Sequence, residues 1–530
     1  MQASAFTDQV VCALGEESQT RPTRLERIVE ELKTTQDQDE VLDPLTLLAH
    51  LVPSPDAGAE SLLEVIRQRC SPKEVIVACE ELLEALRGRV EEGVASLITK
   101  SPRGSRKRKV SNMIHSFAPD LALVIQMVCE SESDAENTES ASDLLSGCTD
   151  LVEGIILCFD DESHKHILLP FLISTTTSLS PFIPCSLSHH VFARCFPRLS
   201  TSVALEKGSE VMQRLVGVYT RLGGRWDDTF VLWAHAVVMG LDQEHRHAPV
   251  ILAAIRGGSF LDEALAVLLV FFSSSHSHSP PPPLSYSELL LTLLPTLASA
   301  HPDPFIRLCA FRLLSLVLRA VPGFIQVQVL VDLLSGDQHP HQHHHNPHSK
   351  MLRVAAVGLV KDLVLDALSI PGGNNILASP AFVLSLAPVL FTPPEPVLDP
   401  SFSMDTIPPN DTVPPNDTVP PNDTDEALEV ELTRLGHVLA LYYALEKTDV
   451  ANRTGIRDPD NRANIERTLV APIRSAVSRW GIQTQPGIQT QNQTDIPPSP
   501  SPHGTRVRAA LVALQMGVER IDEMWKARGG

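Results

Sequence analysis

Pro304-Phe305-Ile306-Arg307-Leu308-Cys309-Ala310-Phe311-Arg312-Leu313-Leu314 and Lys350-Met351-Leu352-Arg353-Val354-Ala355-Ala356-Val357-Gly358-Leu359-Val360 carry one pattern twice, 46 residues apart. Shifted by that interval, Arg307 falls on Arg353, Ala310 on Ala356 and Leu313 on Leu359. The apolar positions agree as well: Phe305 with Met351, Ile306 with Leu352, Leu314 with Val360, and Val317 with Leu363. Apolar residues recurring every three or four positions mark one buried face of a helix, so both stretches read as helices with an arginine at a shared position. A fainter copy precedes them. Ala264 and Leu268 align with Ala310 and Leu314, but position 261 is leucine where the others have arginine.

A period of about 40–47 residues with two helices per unit is the mark of HEAT and armadillo arrays. Each unit there has an apolar face that only the next unit covers, so helix pairs stack into a solenoid. The sequence therefore predicts an all-α fold: an α-α superhelix of HEAT/armadillo kind with disordered loop insertions. Such a chain works by presenting a long surface to other proteins.

Composition points the same way. At 530 residues the chain exceeds what one compact core supports. Hydrophobic residues make up 43% and aromatics only 5%, a balance that suits helix-on-helix packing better than a β-sandwich. The net charge of −21 argues against a nucleic-acid binder, which needs a basic face, and against an anionic membrane surface, and it suits a chain that meets a basic partner. The nine cysteines form no CxxC pair and fall mostly in apolar helical stretches, as reduced thiols of a cytosolic or nuclear protein do. Residues 1–14 lack the basic and apolar regions of a signal peptide. The longest apolar run, Ala264 to Phe272, is far short of the ~20 residues of a membrane span. The Asn-x-Thr triplets at Asn410, Asn416, Asn422, Asn452 and Asn492 therefore read as chance rather than as glycosylation sites.

Residues 1–125 read as an N-terminal helical region, in which Ser71-Pro72-Lys73-Glu74 has the cap, first-turn proline and acidic residue of a helix start. Residues 126–143 read as an acidic loop, and 144–391 as the helical repeats. Within the repeats, Pro170, Pro181, Pro184 and Pro197 are expected to mark helix ends, 273–283 a Ser/His/Pro hinge and 336–349 a His-rich loop. Residues 392–425 hold three copies of Pro-Pro-Asn-Asp-Thr and read as a disordered insert. A helical stretch, 426–480, and a second disordered loop, 481–505, precede a last helix at 506–530. Val507, Leu511, Leu514, Val518, Ile521 and Trp525 form an apolar seam on it that should dock on the preceding helices.

Candidate chemistry is sparse. Six histidines between His339 and His348 could ligate a transition metal. No cysteine or carboxylate stands at ligand spacing, and a low-complexity loop is the better reading; no metal site is assigned. Arg106, Lys107, Arg108 and Lys109 end the one dense basic cluster, read either as a nuclear-import signal or as a solubilising loop. Location is expected in the cytoplasm, with a nuclear share if that cluster serves import. Arg307 and Arg353 are expected to bond loop carbonyls or acidic residues of the adjacent unit, with partner contact as the alternative. Cys185 and Cys195 read as inert thiols rather than redox sensors. Phosphate-loop, dinucleotide, nucleophile-elbow and HExxH motifs are missing, so no catalytic or cofactor-binding residue is assigned and a non-enzyme is expected.

Three stretches resemble the glomulin family, which includes fungal YAP-binding stress-response proteins: Cys70 through Leu82, similar to an "NPKE" helix with Ser71 in place of Asn; Asp303 through Leu318; and Arg353-Val354-Ala355-Ala356-Val357-Gly358-Leu359-Val360-Lys361-Asp362, similar to the fungal "R-x-A-A-V-G-L-x-K" helix. The resemblance implies a HEAT-like adaptor without catalysis or cofactor. The expected partner is a redox-responsive bZIP transcription factor in the oxidative stress response. The alternative is inhibition of cullin-RING ubiquitin ligases through the RING-box subunit, the activity of glomulin itself. No binding residue carries over from either branch.

Overall fold

The computed structural model describes residues 5–15, 21–34, 42–52, 57–98, 138–158, 165–199, 207–273, 283–335, 347–393, 423–479 and 502–527, apart from positions 184, 243, 371 and 374. Among the described residues the chain is helical and has no β-strand. It divides into two compact units, Met1–Pro280 and Pro281–Gly530. The division falls in the stretch expected as a hinge, so the single run of repeats expected over 144–391 is shared between two units. Consecutive prolines supply no backbone N–H groups to a helix, which makes that stretch a natural boundary.

The first unit contains α1 (Ala5–Leu14), α2 (Arg21–Thr34), α3 (Pro44–Leu51), α4 (Ala57–Arg69), α5 (Pro72–Ile98), α6 (Thr138–Cys158), α7 (Lys165–Leu179), α8 (Leu187–Cys195), α9 (Lys207–Arg221), α10 (Phe230–Val238), α11 (Ala248–Gly257) and α12 (Leu261–Ser273). Helix α3 packs on α5, α5 on α6, α6 on α9, α9 on α10, and α10 on α12. One apolar core runs through Val10, Leu47, Leu82, Leu145, Val216 and Ala236. Pro72 opens α5 as its sequence predicts. Pro170, expected at a helix end, instead lies inside α7. Leu168, Phe171 and Leu172 around it are buried, and their burial outweighs the one backbone bond that proline forfeits. Helix α8 is capped from a distance. Ser186 sits at φ 41° and makes no side-chain cap, and Asp262 accepts from the Leu187 N–H at 2.6 Å and the Ser188 N–H at 3.1 Å instead.

The second unit contains α13 (Leu284–Ala300), α14 (Pro304–Ala320), α15 (Gly323–Ser335), α16 (Pro347–Ser369), α17 (Ala381–Leu390), α18 (Asp423–Thr448), α19 (Pro459–Ile465), a π-helical turn (Glu466–Val470), α20 (Ala471–Arg479) and α21 (Pro502–Ala527). Helices α13 and α14 form a hairpin, α15 packs on both α16 and α17, and α16, α18 and α21 lie side by side in that order. The apolar seam of α21 docks on α18 as expected, with Leu511, Leu514, Val518 and Ile521 buried.

Four helices begin earlier than expected. Helix α6 takes in residues assigned to the acidic loop 126–143, α16 the end of the His-rich loop 336–349, α18 the end of the insert 392–425, and α21 the end of the loop 481–505. A first helical turn needs no apolar face and favours proline or acidic residues, as Pro347, Pro502 and Asp423 illustrate, so an apolar pattern starts too late.

Two of the matched positions agree in burial, while Leu308 is exposed where its match Val354 is buried. Ala264, Ala310 and Ala356 are all fully buried, as are Leu268, Leu314 and Val360. The two arginines do bond carbonyls, but different ones. Arg307 donates to His301 O at 2.7 Å and Pro302 O at 2.9 Å, just ahead of its own helix. Arg353 donates to Leu334 O at 2.9 Å, at the end of the preceding helix α15. No single helix among the described residues is long and apolar enough to cross a membrane. One bent pair, Lys165–Phe182 with Leu187–Cys195, reaches that length and hydropathy only by joining segments turned 75° from one another.

Candidate functional site: a groove walled by three helices

The loop after α18 fixes the framework of the second unit. Asp449, 2% exposed, accepts from the Arg453 N–H at 2.8 Å, the Thr454 N–H at 2.8 Å and the Thr454 hydroxyl at 2.6 Å. Arg453 is thereby aimed at the C-terminal end of α16, where it donates to Ile370 O at 3.0 Å and Gly373 O at 2.7 Å. Carbonyls beyond the last turn of a helix lack intrahelical donors, and this guanidinium supplies them. Near the end of α18, fully buried Glu446 accepts from the Tyr442 hydroxyl at 3.0 Å and pairs with Arg462 at 3.3 Å and Arg457 at 3.7 Å. Burial, followed by the Glu446 charge, holds the Tyr442 hydroxyl above its ordinary pKa, so it stays a donor. Arg462 lies 5.6 Å from the Trp525 ring centre, and Tyr442 meets the same ring edge-on at 6.3 Å. Arg474 links the π-helical turn to α21 through Glu466 at 2.8 Å and Asp522 at 2.6 Å. These bonds hold α16, α18 and α21 in one arrangement.

Between those three helices lies a groove of 510 Å³. One wall is a stripe of α18 that includes Leu432, Gly436, Ala440, Tyr443 and Ala444. The other is a stripe of α21 with Ala510, Ala513, Met516 and Gly517, and Lys361 enters from α16. The close approach of the walls depends on Gly517, where a Cβ would stand 3.0 Å from Leu439 Cδ1. Ala440, Ala513 and Met516 are exposed, so the groove presents apolar surface to solvent. Its titratable side chains other than Tyr443 are Lys361, His437 and Arg520, with no carboxylate in the lining. Burial, followed by the charge of Lys361, lowers the pKa of His437, which leaves it neutral near pH 7. Lys361 and Arg520 carry the charge, and among the described residues neither has an ion-pair partner. Arg319, Arg434, Arg457, Arg462 and Arg474 of the same unit are all paired. Such a groove can bind by apolar contact and positive charge.

Of the residues singled out for chemistry in the sequence, the described ones do not line the groove. Arg106, Lys107, Arg108 and Lys109 fall outside the described residues, as does the His-rich run except its last two positions. Among the described residues no three His, Cys, Asp or Glu side chains stand together as a metal site would require. Among the described residues Cys12, Cys70, Cys79, Cys148, Cys185, Cys195 and Cys309 form no disulfide, and Cys70, Cys79, Cys148 and Cys309 are buried. Burial pushes the Cys70 thiol up to about 12 and Cys148 higher still, which suppresses the reactive thiolate. Cys195 and Ser273 are 3.2 Å apart. The apolar periodicity of the sequence does not by itself mark the groove. Two signals pointed to it: Lys361 within the quoted helix, and the small residues Gly436, Ala440 and Ala444 recurring every fourth position. No protein-family model matches this chain, and no curated protein matches it.

Proposed function

We propose that this chain is a non-enzymatic helical-repeat adaptor, whose helix pairs stack within each unit in the HEAT/armadillo manner and which acts by binding another protein. The observation that carries the reading is the groove between α16, α18 and α21, where exposed Met516, Ala440 and Ala513 lie beside Lys361 and Arg520, which have no ion-pair partner among the described residues. Exposed apolar surface in a concavity is characteristic of binding sites. The side-by-side order of α16, α18 and α21 and the shared burial of Ala264, Ala310 and Ala356 support the stacking. The resemblance to the glomulin family supports a redox-responsive bZIP transcription factor as partner, a role in the oxidative stress response, and a cytoplasmic location with a nuclear share carried by Arg106 to Lys109.

Affinity purification of the tagged full-length chain, with and without peroxide treatment of the cells, tests this. A bZIP regulator should be retained in near-stoichiometric amount. Retention of a RING-box subunit with its cullin would move the assignment to ligase inhibition. Turnover of a small molecule by the purified chain, with no protein retained, would overturn the adaptor reading.

A further inference from the structure

We propose that the groove between α16, α18 and α21 receives an amphipathic helix of a partner protein, its apolar stripe on Ala440, Ala513 and Met516 and its acidic side chains toward Lys361 and Arg520. The inference rests on the adaptor reading and adds the chemistry of the partner segment. Three observations lead to it.

The walls are helix faces, whose backbone groups are engaged within the helices, and the described residues contain no sheet edge. An extended peptide is normally gripped through its main chain by such an edge, which this groove cannot offer. A helix satisfies its own backbone and needs only side-chain contact. The groove's 510 Å³ takes the several side chains that an amphipathic helix projects at i, i+3 or i+4, and i+7. Gly436 and the alanines of the two stripes let a partner helix come close.

Charge selects the sequence of that helix. The chain carries a net −21, yet the groove lining has no carboxylate and two cations without an ion-pair partner among the described residues. An acidic segment meets repulsion over most of this protein and attraction here, so the groove discriminates by charge as well as by shape. A basic helix would meet Lys361 and Arg520 as like charges.

A displayed library tests this on the full-length chain. Its members are helix-forming peptides two heptads long, with leucine fixed along one face and the flanking positions drawn from Glu, Lys and Gln. Selection should enrich Glu. Two variants should each weaken the selected peptides about tenfold or more. Lys361→Glu with Arg520→Glu reverses the charge, and Ala440→Trp fills the groove from an exposed position. Circular dichroism melts confirm that each variant folds, and the charge reversal alone carries the test if Ala440→Trp does not. Enrichment of Lys, no enrichment, or affinity indifferent to the charge reversal would overturn the inference. So would displacement of the peptides by a single-stranded oligonucleotide, or light scattering showing that they dissociate a dimer held through this groove. Cellular partners retained equally by the wild type and both variants would sink the groove while leaving the adaptor reading intact. Peptide selection as expected with no cellular protein retained would do the reverse.

Discussion

His235 and Glu263 of the first unit contrast with Arg434, Glu446 and Asp449 of the second in how each meets burial. In the second, Arg434, Glu446 and Asp449 are at most 2% exposed, and each has charged or hydrogen-bonding partners. Arg434 donates to Glu431 through two nitrogens, at 2.6 and 2.8 Å, and Glu446 gathers Tyr442, Arg457 and Arg462. In the first unit His235 is 2% exposed, and its Nε2 has no hydrogen-bond partner among the described residues. Burial alone lowers its pKa to about 4, so it sits in the core as a neutral ring. Glu263, 8% exposed, is raised to about 7 by burial and secondarily by Asp262. A buried ionisable group either finds partners or surrenders its charge. The paired groups of the second unit, Glu446 among them, also tie α16, α18 and α21 together, where the groove lies.

The largest test of this contrast is Glu446→Ala. Removing one member of a buried charged network costs about 3–5 kcal/mol, because the others are left without compensation. Denaturant melts of the full-length chain should show that loss in the transition of the second unit. A cost under about 1 kcal/mol would mean that the network contributes little to the framework.

The first unit should reveal its buried groups through pH. His235 has a folded pKa below its ordinary 6.5, so the unfolded chain binds more protons in the interval between the two values. Its contribution is complete above 6.5 and is lost as pH falls toward about 4, by up to about 3 kcal/mol. Glu263 has a folded pKa above its ordinary 4.5, so the folded form holds the extra proton. Its contribution is complete below 4.5 and is lost as pH rises through about 7, by a similar amount. Between pH 4.5 and 6.5 the two slopes oppose each other. His235→Leu should therefore leave stability falling with pH in that interval, and Glu263→Gln should leave it rising. Urea melts at a series of pH values decide; slopes of the same sign in the two variants would break the account.

The smallest effect concerns the 46-residue spacing read in the sequence. Ala356 is fully buried at the position matched by Ala310 and Ala264. Ala356→Leu should overpack that site and cost about 1–3 kcal/mol. A neutral substitution would show that the 46-residue register does not describe the packing.

Much of the helical organisation was legible because it depends on local rules. Pro72 after Ser71, and Pro304 after Asp303, mark helix starts that the structure bears out, with Asp303 accepting from the Phe305 N–H at 2.8 Å. The seam from Leu511 to Ile521 told which face of α21 is buried. Polar first turns hid the true starts of α6, α16, α18 and α21, because they lack the apolar residues on which the reading relied. Pro170 misled for a related reason: its local cost is real, but the burial of Phe171 and Leu172 outweighs it, and burial is a property of neighbours distant in sequence.

The sequence by itself determined that this chain is helical, which alanines and leucines turn inward, and that Arg307 and Arg353 share a position. Those properties follow from spacing along one chain segment at a time. Only the tertiary structure decided that Arg353 reaches back to Leu334 while Arg307 stays beside its own helix, and that Asp262 caps a helix 74 residues away. The groove belongs to the same class. Lys361, Ala440 and Met516 lie far apart in sequence and are ordinary surface residues within their own helices. They form one site because Arg453, Glu446 and Arg474 tie three helices side by side, and a site made between elements exists only once those elements have packed.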